Sequence, residues 1–316
     1  MIAAAAGTRS WWKRSEALDP RYLIAGLITL VLLAAQLRYH MVGGYARLAV
    51  ALGTCMITEA LLSWFVRGRI VNLQSAYISG LSLTLLLKPQ GAVLLPFVLG
   101  GFLAIASKYV LTYRSNHVWN PTNFAISALL LLAPNHISVL SHQWGNDLVT
   151  NLVIWSFGLV IAARVRVLHI TLTYVLSFLV LNTLRATITG QPLLPEIAPI
   201  TGPMYQLFLF FMITDPRTIV RDRRWQVVVT VIIAAAEAAI RFASDQGTPL
   251  PVAFNVGPAF LALAIVGPIA KMIDLRRASK PSAAATATVP ASAVSPSAAA
   301  ELHSPGRIPR YARNDK

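Results

Sequence analysis

Residues 210–220 read FFMITDPRTIV, and this stretch contains the two signals that decide the architecture of the chain. An apolar run over 208–213 stops at Asp215-Pro216, a carboxylate followed by a residue that breaks helices. Four cations then follow within nine residues: Arg217, Arg221, Arg223 and Arg224. Apolar runs that end in clusters of Lys and Arg are typical of membrane-spanning helices. The cations are explained by a stop signal for a membrane span. The acid next to a helix break has a second interpretation, in which it forms one half of a binding site.

The composition of the 316-residue chain indicates a polytopic α-helical membrane protein. Hydrophobic residues make up 56% of the chain and charged residues only 12%, whereas a soluble domain carries about a quarter charged residues. Long apolar runs recur, and the ~10-residue alternating segments of a β-barrel do not. The single cysteine, Cys55, excludes disulfides and Cys-ligated metal or iron–sulfur centres within the chain.

Ten apolar segments follow one another, and the basic residues between them predict an orientation. The segments are 22–37, 46–66, 73–87, 91–107, 121–134, 148–163, 167–184, 203–214, 225–242 and 252–272. With a cytoplasmic N-terminus, eighteen Lys and Arg residues fall on the cytoplasmic side and four on the other. This asymmetry follows the positive-inside rule, so we expect a bacterial inner (plasma) membrane protein with both termini in the cytoplasm. The net charge of +15 is therefore interpreted as a topology signal and not as a nucleic-acid surface.

Two of these segments are too short to cross a bilayer as regular helices. Residues 73–87 and 203–214 would span roughly 18 to 23 Å, against a hydrocarbon core about 30 Å thick. We expect them to form short buried helices or broken ones. Broken segments at matching places in two halves of a chain point to a binding site near the midplane.

The two ends of the chain differ in composition from the apolar part. Residues 1–17 are expected to form a cytoplasmic arm, in which WWKR (11–14) suits an anchor at the anionic membrane surface. Residues 279–316 are rich in Ala, Ser and Pro and are expected to be a disordered cytoplasmic tail. The transmembrane domain is expected over residues 18–278, with membrane lipids around it.

The stretch QSAYISGLSLTLLLKPQG (74–91) places small and hydroxyl-bearing residues in one short helix. Residues such as Ser79 and Gly80 let another helix or a ligand approach the backbone closely. Close helix packing explains this composition, and a wall that faces a ligand explains it as well. We therefore include Ser79 and Gly80 among the candidate cofactor-binding residues.

The stretch NPTNFAIS (120–127) begins an apolar segment with several hydrogen-bonding residues. Asn120 is a strong N-cap and Pro121 suits the first helical turn, so capping accounts for this pair. Capping does not account for Thr122 and Asn123, which add polar groups to the same turn. Because the N-terminus of a helix attracts anions, Asn120, Thr122 and Asn123 are candidate ligand-binding residues.

The stretch ITDPRT (213–218) resembles NPT, since in both a short acid or amide precedes a proline beside an apolar segment. This similarity is consistent with an internal duplication. The structural interpretation is that Asp215 caps a turn and Arg217 neutralises it. The functional interpretation makes Asp215, Arg217 and Thr218 part of a site, with the Asn120 turn facing the same interior.

The remaining polar residues are weaker candidates. Glu237 and Arg241 are four residues apart on one helical face, so we expect a structural ion pair. Several residues in loops or at segment ends are expected to be solvated: His136, His142, Asp147, Asp245 and Asp274. We predict no metal site and identify no catalytic residues, because the sequence contains no metal motif, phosphate-binding glycine loop or Ser-His-Asp arrangement.

Five motifs together resemble those of a known family. They are LDPRYLIAGLITLVLL (18–33), SGLSLTLLLKP (79–89), SKYV (107–110), NPTNFAIS (120–127) and FFMITDPRT (210–218). Over residues 18–274 the chain resembles the RnfD membrane proteins of Rnf electron-transport complexes and their NqrB counterparts in the sodium-pumping quinone reductase. The resemblance is greatest to the short stand-alone relatives of the UnbU type.

This resemblance implies about ten transmembrane helices in two inverted halves, a fold similar to that of urea transporters. It also implies a flavin in the membrane domain, electron flow coupled to ion movement, and other membrane electron-transport subunits as partners. Family members carry FMN covalently on a Ser-Gly-Ala-Thr motif that this sequence lacks; the nearest strings are TGQP (189–192) and TGPM (201–204). Because the motif is missing, our hypothesis is a non-covalent flavin (FMN or riboflavin) or a quinone, packed against the Ser79/Gly80 helix and closed in by the Asn120 and Asp215 turns.

The sequence leaves three functions open. The first is membrane electron transport as a component of an oxidoreductase with a non-covalent flavin. The second is a transporter or channel for a small polar solute, favoured by the missing flavin anchor and by the two short segments. The third is a structural partner for other membrane proteins, favoured by the absence of a catalytic motif.

Overall fold

The computed structural model describes residues 20–139 and 147–278, which are about 75% helical. The predicted N-terminal arm, the predicted tail and His142 lie outside the described residues. Of the described residues, those up to Leu275 belong to one compact unit.

The described chain is a succession of helices with short extended segments between them. The helices are α1 (Pro20–Tyr39), α2 (Tyr45–Arg67), α3 (Gln74–Leu86), α4 (Leu95–Val110), α5 (Pro121–Leu132), α6 (Leu148–Arg164), α7 (Leu168–Thr189), α8 (Leu193–Ile197), α9 (Pro203–Leu207), α10 (Arg223–Asp245), α11 (Val252–Val256) and α12 (Pro258–Arg277). A 3₁₀ turn (Ala198–Thr201) precedes α9, and a π-helical turn (Phe208–Met212) continues it. The strands are β1 (Leu87–Pro89), β2 (Thr112–Tyr113), β3 (Asn116–His117) and β4 (Ile137–Val139).

Five helices within the described ranges are long and apolar enough to cross a membrane. They are α1 from Tyr22 onward, α2, α7, α10 and α12. Their outward faces expose large apolar side chains such as Leu37, Phe65 and Leu176, which a lipid environment accommodates and water does not. The chain is therefore an all-α membrane protein. The other apolar segments form shorter helices, so the prediction of ten crossings remains a prediction.

The ends of the long helices follow from local sequence. Helix α2 stops at Gly68 and α7 at Gly190, with φ angles of 67° and 70°. This left-handed conformation is unfavourable for residues with a Cβ atom, and it ends a helix by directing its last N–H back to a free carbonyl. The Gly68 N–H accordingly bonds the Trp64 carbonyl at 2.9 Å.

The segments predicted to be too short to cross alone are short and buried. Helix α3 has 13 residues and continues directly into β1, which pairs antiparallel with β4. Helix α9 has five residues before the π-helical turn, and every residue over 202–214 is buried. Non-helical backbone at membrane depth occurs only inside protein, because lipid cannot hydrogen-bond it. The β1–β4 ladder supplies such bonds where α3 ends.

Buried ion pairs connect helices that are distant in sequence. Lys108 on α4 lies 2.8 Å from Glu59 on α2, and both side chains are buried. Arg185 on α7 lies 2.7 Å from Asp245 on α10 and also pairs with Glu196 on α8. Buried charges are stable only when paired. Asp245 itself is exposed, as expected, and α7 brings Arg185 to it.

Glu237 is 1% exposed and forms the predicted ion pair with Arg241 at 3.0 Å. It also accepts hydrogen bonds from the hydroxyl groups of Tyr174 and Tyr205. These three donors satisfy the carboxylate within the helix bundle, and the predicted ion pair is confirmed.

Two other acids that were expected to be solvated also have partners. Asp147 caps α6 by accepting the Thr150 N–H at 3.1 Å, and it accepts the Tyr39 hydroxyl at 2.7 Å. These hydrogen bonds, with that of Tyr39 foremost, lower the pKa of Asp147 to about 2. Asp274 pairs with Arg221 at 3.1 Å.

The burial of Glu237 predicts a large difference between two arginine substitutions. Arg241→Met should lower the free energy of unfolding by about 3–5 kcal/mol, because it leaves a buried carboxylate without its counter-ion. Arg221→Met is the matched control: its side chain is 56% exposed in the pair with Asp274, so its loss should cost less than about 1 kcal/mol. Unfolding by denaturant in micelles, followed by tryptophan fluorescence, measures both. Equal effects would contradict the assignment.

Candidate functional site

A cavity of about 410 Å³ lies between α3, the start of α5, the end of α6 and the turn that follows the π-helical segment. Its volume falls in the range of small-molecule pockets, roughly 300–1,000 Å³. The structure brings five of the eight predicted site residues to this cavity: Ser79, Asn120, Thr122, Asp215 and Arg217.

The two polar turns of the sequence meet at the cavity. Asn120 caps α5, because its Oδ1 accepts the Asn123 N–H at 3.0 Å, and its Nδ2 donates to Asp215 Oδ2 at 3.1 Å. Asp215 Oδ1 accepts the Arg217 N–H at 3.1 Å. The turns lie at opposite ends of their helices, since Asn120-Pro121 begins α5 and Asp215-Pro216 follows the end of the α9 segment. Their similarity in sequence therefore does not reflect equivalent positions in the fold.

Helix α12 holds the Asn120 turn in place through a proline break. Pro268 lies inside α12 and lacks the N–H that would bond the Ala264 carbonyl. The Trp119 indole N–H donates to that carbonyl at 2.9 Å. One turn further along α5, Asn123 Nδ2 donates to the Phe260 carbonyl at 3.1 Å. Residues on both sides of Asn120 are thus bonded to the same helix.

The other three predicted residues do not line the cavity. Gly80 faces α2, where an added Cβ atom would lie 2.9 Å from the Leu52 Cα atom, so it allows close helix packing. Asn123 and Thr218 border a smaller cavity of about 30 Å³, which has room for about one water molecule. The assignment of these residues to a cofactor therefore has no support from the geometry.

Polar residues that the sequence analysis did not select also line the cavity. Lys108 donates to Ser75 Oγ at 3.1 Å, so the buried Glu59–Lys108 pair borders the site. In sequence, Lys108 stands at the end of an apolar run, where a cation is typical of the boundary of a membrane span. An acid such as Glu59 within a span is a usable signal, but its partner lies 49 residues away in sequence. His117, on β3, also lines the cavity.

Much of the remaining lining of the cavity is apolar. It includes Ile78 of α3, Ile161 of α6 and Val165 just after that helix, and Phe210 and Phe211 of the π-helical turn.

The Phe210 ring lies directly on Gly158 of α6: a Cβ atom there would be 2.4 Å from the ring. Trp155 meets the same ring edge-on, with 5.3 Å between the centroids. The Phe210 ring can therefore lie in this position only because Gly158 has no side chain.

The arrangement is suited to binding a molecule that is apolar on one side and polar on the other. Burial and the nearby Arg217 guanidinium lower the pKa of His117, so its ring is neutral at pH 7. Over residues 20–139 and 147–278, no three His, Cys, Asp or Glu side chains are placed to share a metal ion.

No family model matches the sequence, and no curated protein matches it.

The contact between Trp119 and α12 can be tested with two substitutions. Trp119→Phe should reduce stability by about 1–3 kcal/mol, because the Ala264 carbonyl loses its donor. Adding Pro268→Ala supplies a helical N–H to the same carbonyl, so the double variant should recover much of this loss. Thermal unfolding in micelles compares the two proteins. A double variant no more stable than Trp119→Phe alone would exclude this role for Trp119.

Proposed function

We propose that this chain binds the ring of a flavin or a quinone in the cavity and takes part in electron transfer within the membrane. The observation that carries the proposal is the mixed lining of the cavity, which combines the polar Asn120–Asp215 contact with the aromatic side chains of Phe210 and Phe211. Both ring systems are flat and apolar with polar groups along their edges, so they fit such a lining.

Individual residues have distinct roles in this proposal. Phe210 and Phe211 contact the faces of the ring, and their burial excludes water. Asn120 and Ser79 orient its polar edge by hydrogen bonding. Lys108, held in place by Glu59, stabilises negative charge on the reduced ring electrostatically. The flavin or quinone supplies the electron-transfer chemistry, and the protein supplies binding, orientation and charge.

The proposal includes the finer architecture that the sequence resemblance implies. The order of elements supports two halves: α1, α2, α3, α4 and α5 are matched by α6, α7, α9, α10 and α12. In each half the short third helix is followed by a proline, at Lys88-Pro89 and at Asp215-Pro216. In each half the fifth helix begins with a proline, Pro121 or Pro258. The second and fourth helices pack on each other in both halves.

Under this proposal the ten helices cross the inner membrane ten times in inverted halves, with both termini in the cytoplasm. The chain then belongs with the RnfD/NqrB-like proteins, surrounded by lipids and by other electron-transport proteins. Without the Ser-Gly-Ala-Thr motif, its flavin is bound non-covalently.

Purification followed by absorbance spectroscopy tests the proposal. We expect flavin or quinone absorbance that is released by denaturation, or a saturable rise in stability when FMN, riboflavin or ubiquinone is added. A protein that purifies without absorbance and responds to none of the three would refute it.

Substitution at Gly158 provides a sharper test of the cavity. Gly158→Ala should displace the Phe210 ring into the cavity and weaken ring binding about tenfold or more, about 1.4 kcal/mol per factor of ten. Gly53→Ala on α2 is the matched control, since an added Cβ atom there meets nothing within 4 Å. The double variant Gly158→Ala/Phe210→Leu should recover affinity by making room. Unchanged binding in Gly158→Ala would place the ring elsewhere.

A second candidate function, transport of a small polar solute, is favoured by another cavity. About 90 Å³ in volume, it is lined by Arg185, Arg241, Ser244, Asp245 and Asn255. These residues come from the second half, whereas the larger cavity is lined by polar residues of both halves, with Ser79 and Asn120 from the first and Asp215 from the second. In transporters built from broken helices, polar solutes bind where the two halves meet.

Solute flux in proteoliposomes distinguishes the two functions. Under the transport hypothesis Asp215→Ala abolishes flux, because it removes the acceptor that holds Asn120 and Arg217 at the larger cavity. Under the redox hypothesis there is no flux to abolish.

A further inference from the structure

Two cationic side chains connect the loop between α1 and α2 with β1 and the residues that follow it. The Lys88 ammonium group donates to the Met41 carbonyl, and Arg47 Nη2 donates to the Gly91 carbonyl at 2.7 Å. Helices α1 and α2 are both long and apolar enough to cross a membrane, so the loop that joins them lies at a membrane surface. The two contacts therefore place both cationic groups at this surface.

These two cations differ from the others on this side of the protein. The proposed topology places four cations here, and two of them lie beside acids: Arg38 is 3.8 Å from Asp147, and Arg185 forms two ion pairs. Within the described ranges no acid forms an ion pair with Lys88 or Arg47. The charged group that acts on Lys88 is Arg47, a second cation. Positive charge is thus concentrated at one place without a counter-ion from the protein.

The surroundings of Lys88 oppose its positive charge. Burial, and after it the charge of Arg47, lower the pKa of Lys88 to about 8. Both causes disfavour the charged ammonium group, and a backbone carbonyl carries no net charge to offset them. An anion beside the two side chains would attract both and reduce this cost. It can approach them, because neither side chain is fully buried.

Exposed apolar side chains lie next to these cations in the sequence. Gly91 is followed by Val, Leu and Leu at residues 93–95, which are between 36% and 58% exposed. Tyr45, which is 73% exposed, begins α2 two residues before Arg47. A tyrosine at the boundary of a span is typical of the membrane interface. A dissolved anion needs only the two cations, whereas a phospholipid also covers the apolar surface.

We propose that Lys88 and Arg47 bind the phosphate group of an anionic phospholipid, whose acyl chains lie on the apolar residues 93–95. Phosphate oxygens accept from both cations, and charge-assisted hydrogen bonds of this kind are strong. An anionic headgroup is selected over a zwitterionic one, because a zwitterionic headgroup brings a positive charge of its own. The lipid thereby stabilises the α1–α2 loop against β1. Neither cation lines any of the three cavities described above, so the inference does not rest on the proposed function.

Titration of the full-length protein in neutral detergent micelles with phosphatidylglycerol and with phosphatidylcholine tests the inference. Native mass spectrometry measures how much of each lipid stays bound, and thermal unfolding measures its effect on stability. Phosphatidylglycerol should bind about tenfold tighter or more and raise the unfolding temperature further. Arg47→Gln and Lys88→Gln should each abolish this preference. Comparing the two lipids within one variant cancels any direct effect of the substitution on stability.

Two further variants separate a specific site from general attraction between charges. Arg38→Gln removes a cation at the same boundary that is 75% exposed and already has Asp147 beside it, so the preference should persist. Arg47→Lys keeps the positive charge and should keep most of the preference. Equal losses in Arg38→Gln and Arg47→Gln would overturn the proposal, since they indicate attraction to the whole surface.

Glycerol phosphate, which has the phosphate group without acyl chains, distinguishes a lipid from a dissolved anion. It should leave the unfolding temperature unchanged at concentrations at which phosphatidylglycerol saturates the protein. If it stabilises the protein as much as phosphatidylglycerol does, the site binds a dissolved anion and the lipid assignment is overturned. A wild-type protein that binds phosphatidylglycerol and phosphatidylcholine equally would overturn the inference altogether.

Discussion

The backbone of residues 202–214 is buried on all sides and leaves the regular α-helical pattern inside the protein, and its hydrogen bonds constrain everything around it. Lipid cannot supply those bonds, so the protein has to. The π-helical turn is closed by the Ile213 N–H, which bonds the Phe208 carbonyl at 3.0 Å. The Asp215 carbonyl then accepts the N–H groups of Thr218 and Ile219 at 3.0 and 3.1 Å. The carboxylate of Asp215 remains available to hold Asn120 and the start of α5.

Charge placement follows the same constraint. A buried cation is unfavourable without a partner, and two buried cations have an acid on another long helix. Glu59 belongs to α2 and Lys108 to α4, and Arg185 belongs to α7 and Asp245 to α10. If the chain consists of two related halves as we propose, the two pairs occupy equivalent positions with their charges exchanged. The first pair borders the cavity of about 410 Å³ and the second the cavity of about 90 Å³, so charges that stabilise the helix bundle also contribute to the polarity of both cavities.

The contact between the two polar turns was predictable because each turn carries a residue that is unusual for its surroundings. Asn120 and Asp215 are polar groups next to prolines at the ends of apolar runs, and the structure places them 3.1 Å apart. Gly80 was assigned to the ligand although it faces α2, because a small residue looks the same in sequence whether a helix or a ligand approaches it. Lys108 and His117 were missed for a related reason: a cation after an apolar run and a histidine in a loop have ordinary explanations until their neighbours are known.

By itself the sequence determined that this is a helical membrane protein, which segments are too short to cross alone, and where polar turns interrupt them. Those features depend on composition and on contacts within a few residues. Only the tertiary structure decided which polar groups meet, because the decisive contacts join residues that are far apart along the chain. Glu59 and Lys108 are 49 residues apart, and Asn120 and Asp215 are 95 residues apart. No local pattern specifies such pairs: the packing of distant helices brings the partners together, and a polar group that this packing buries is stabilised by the partner it meets.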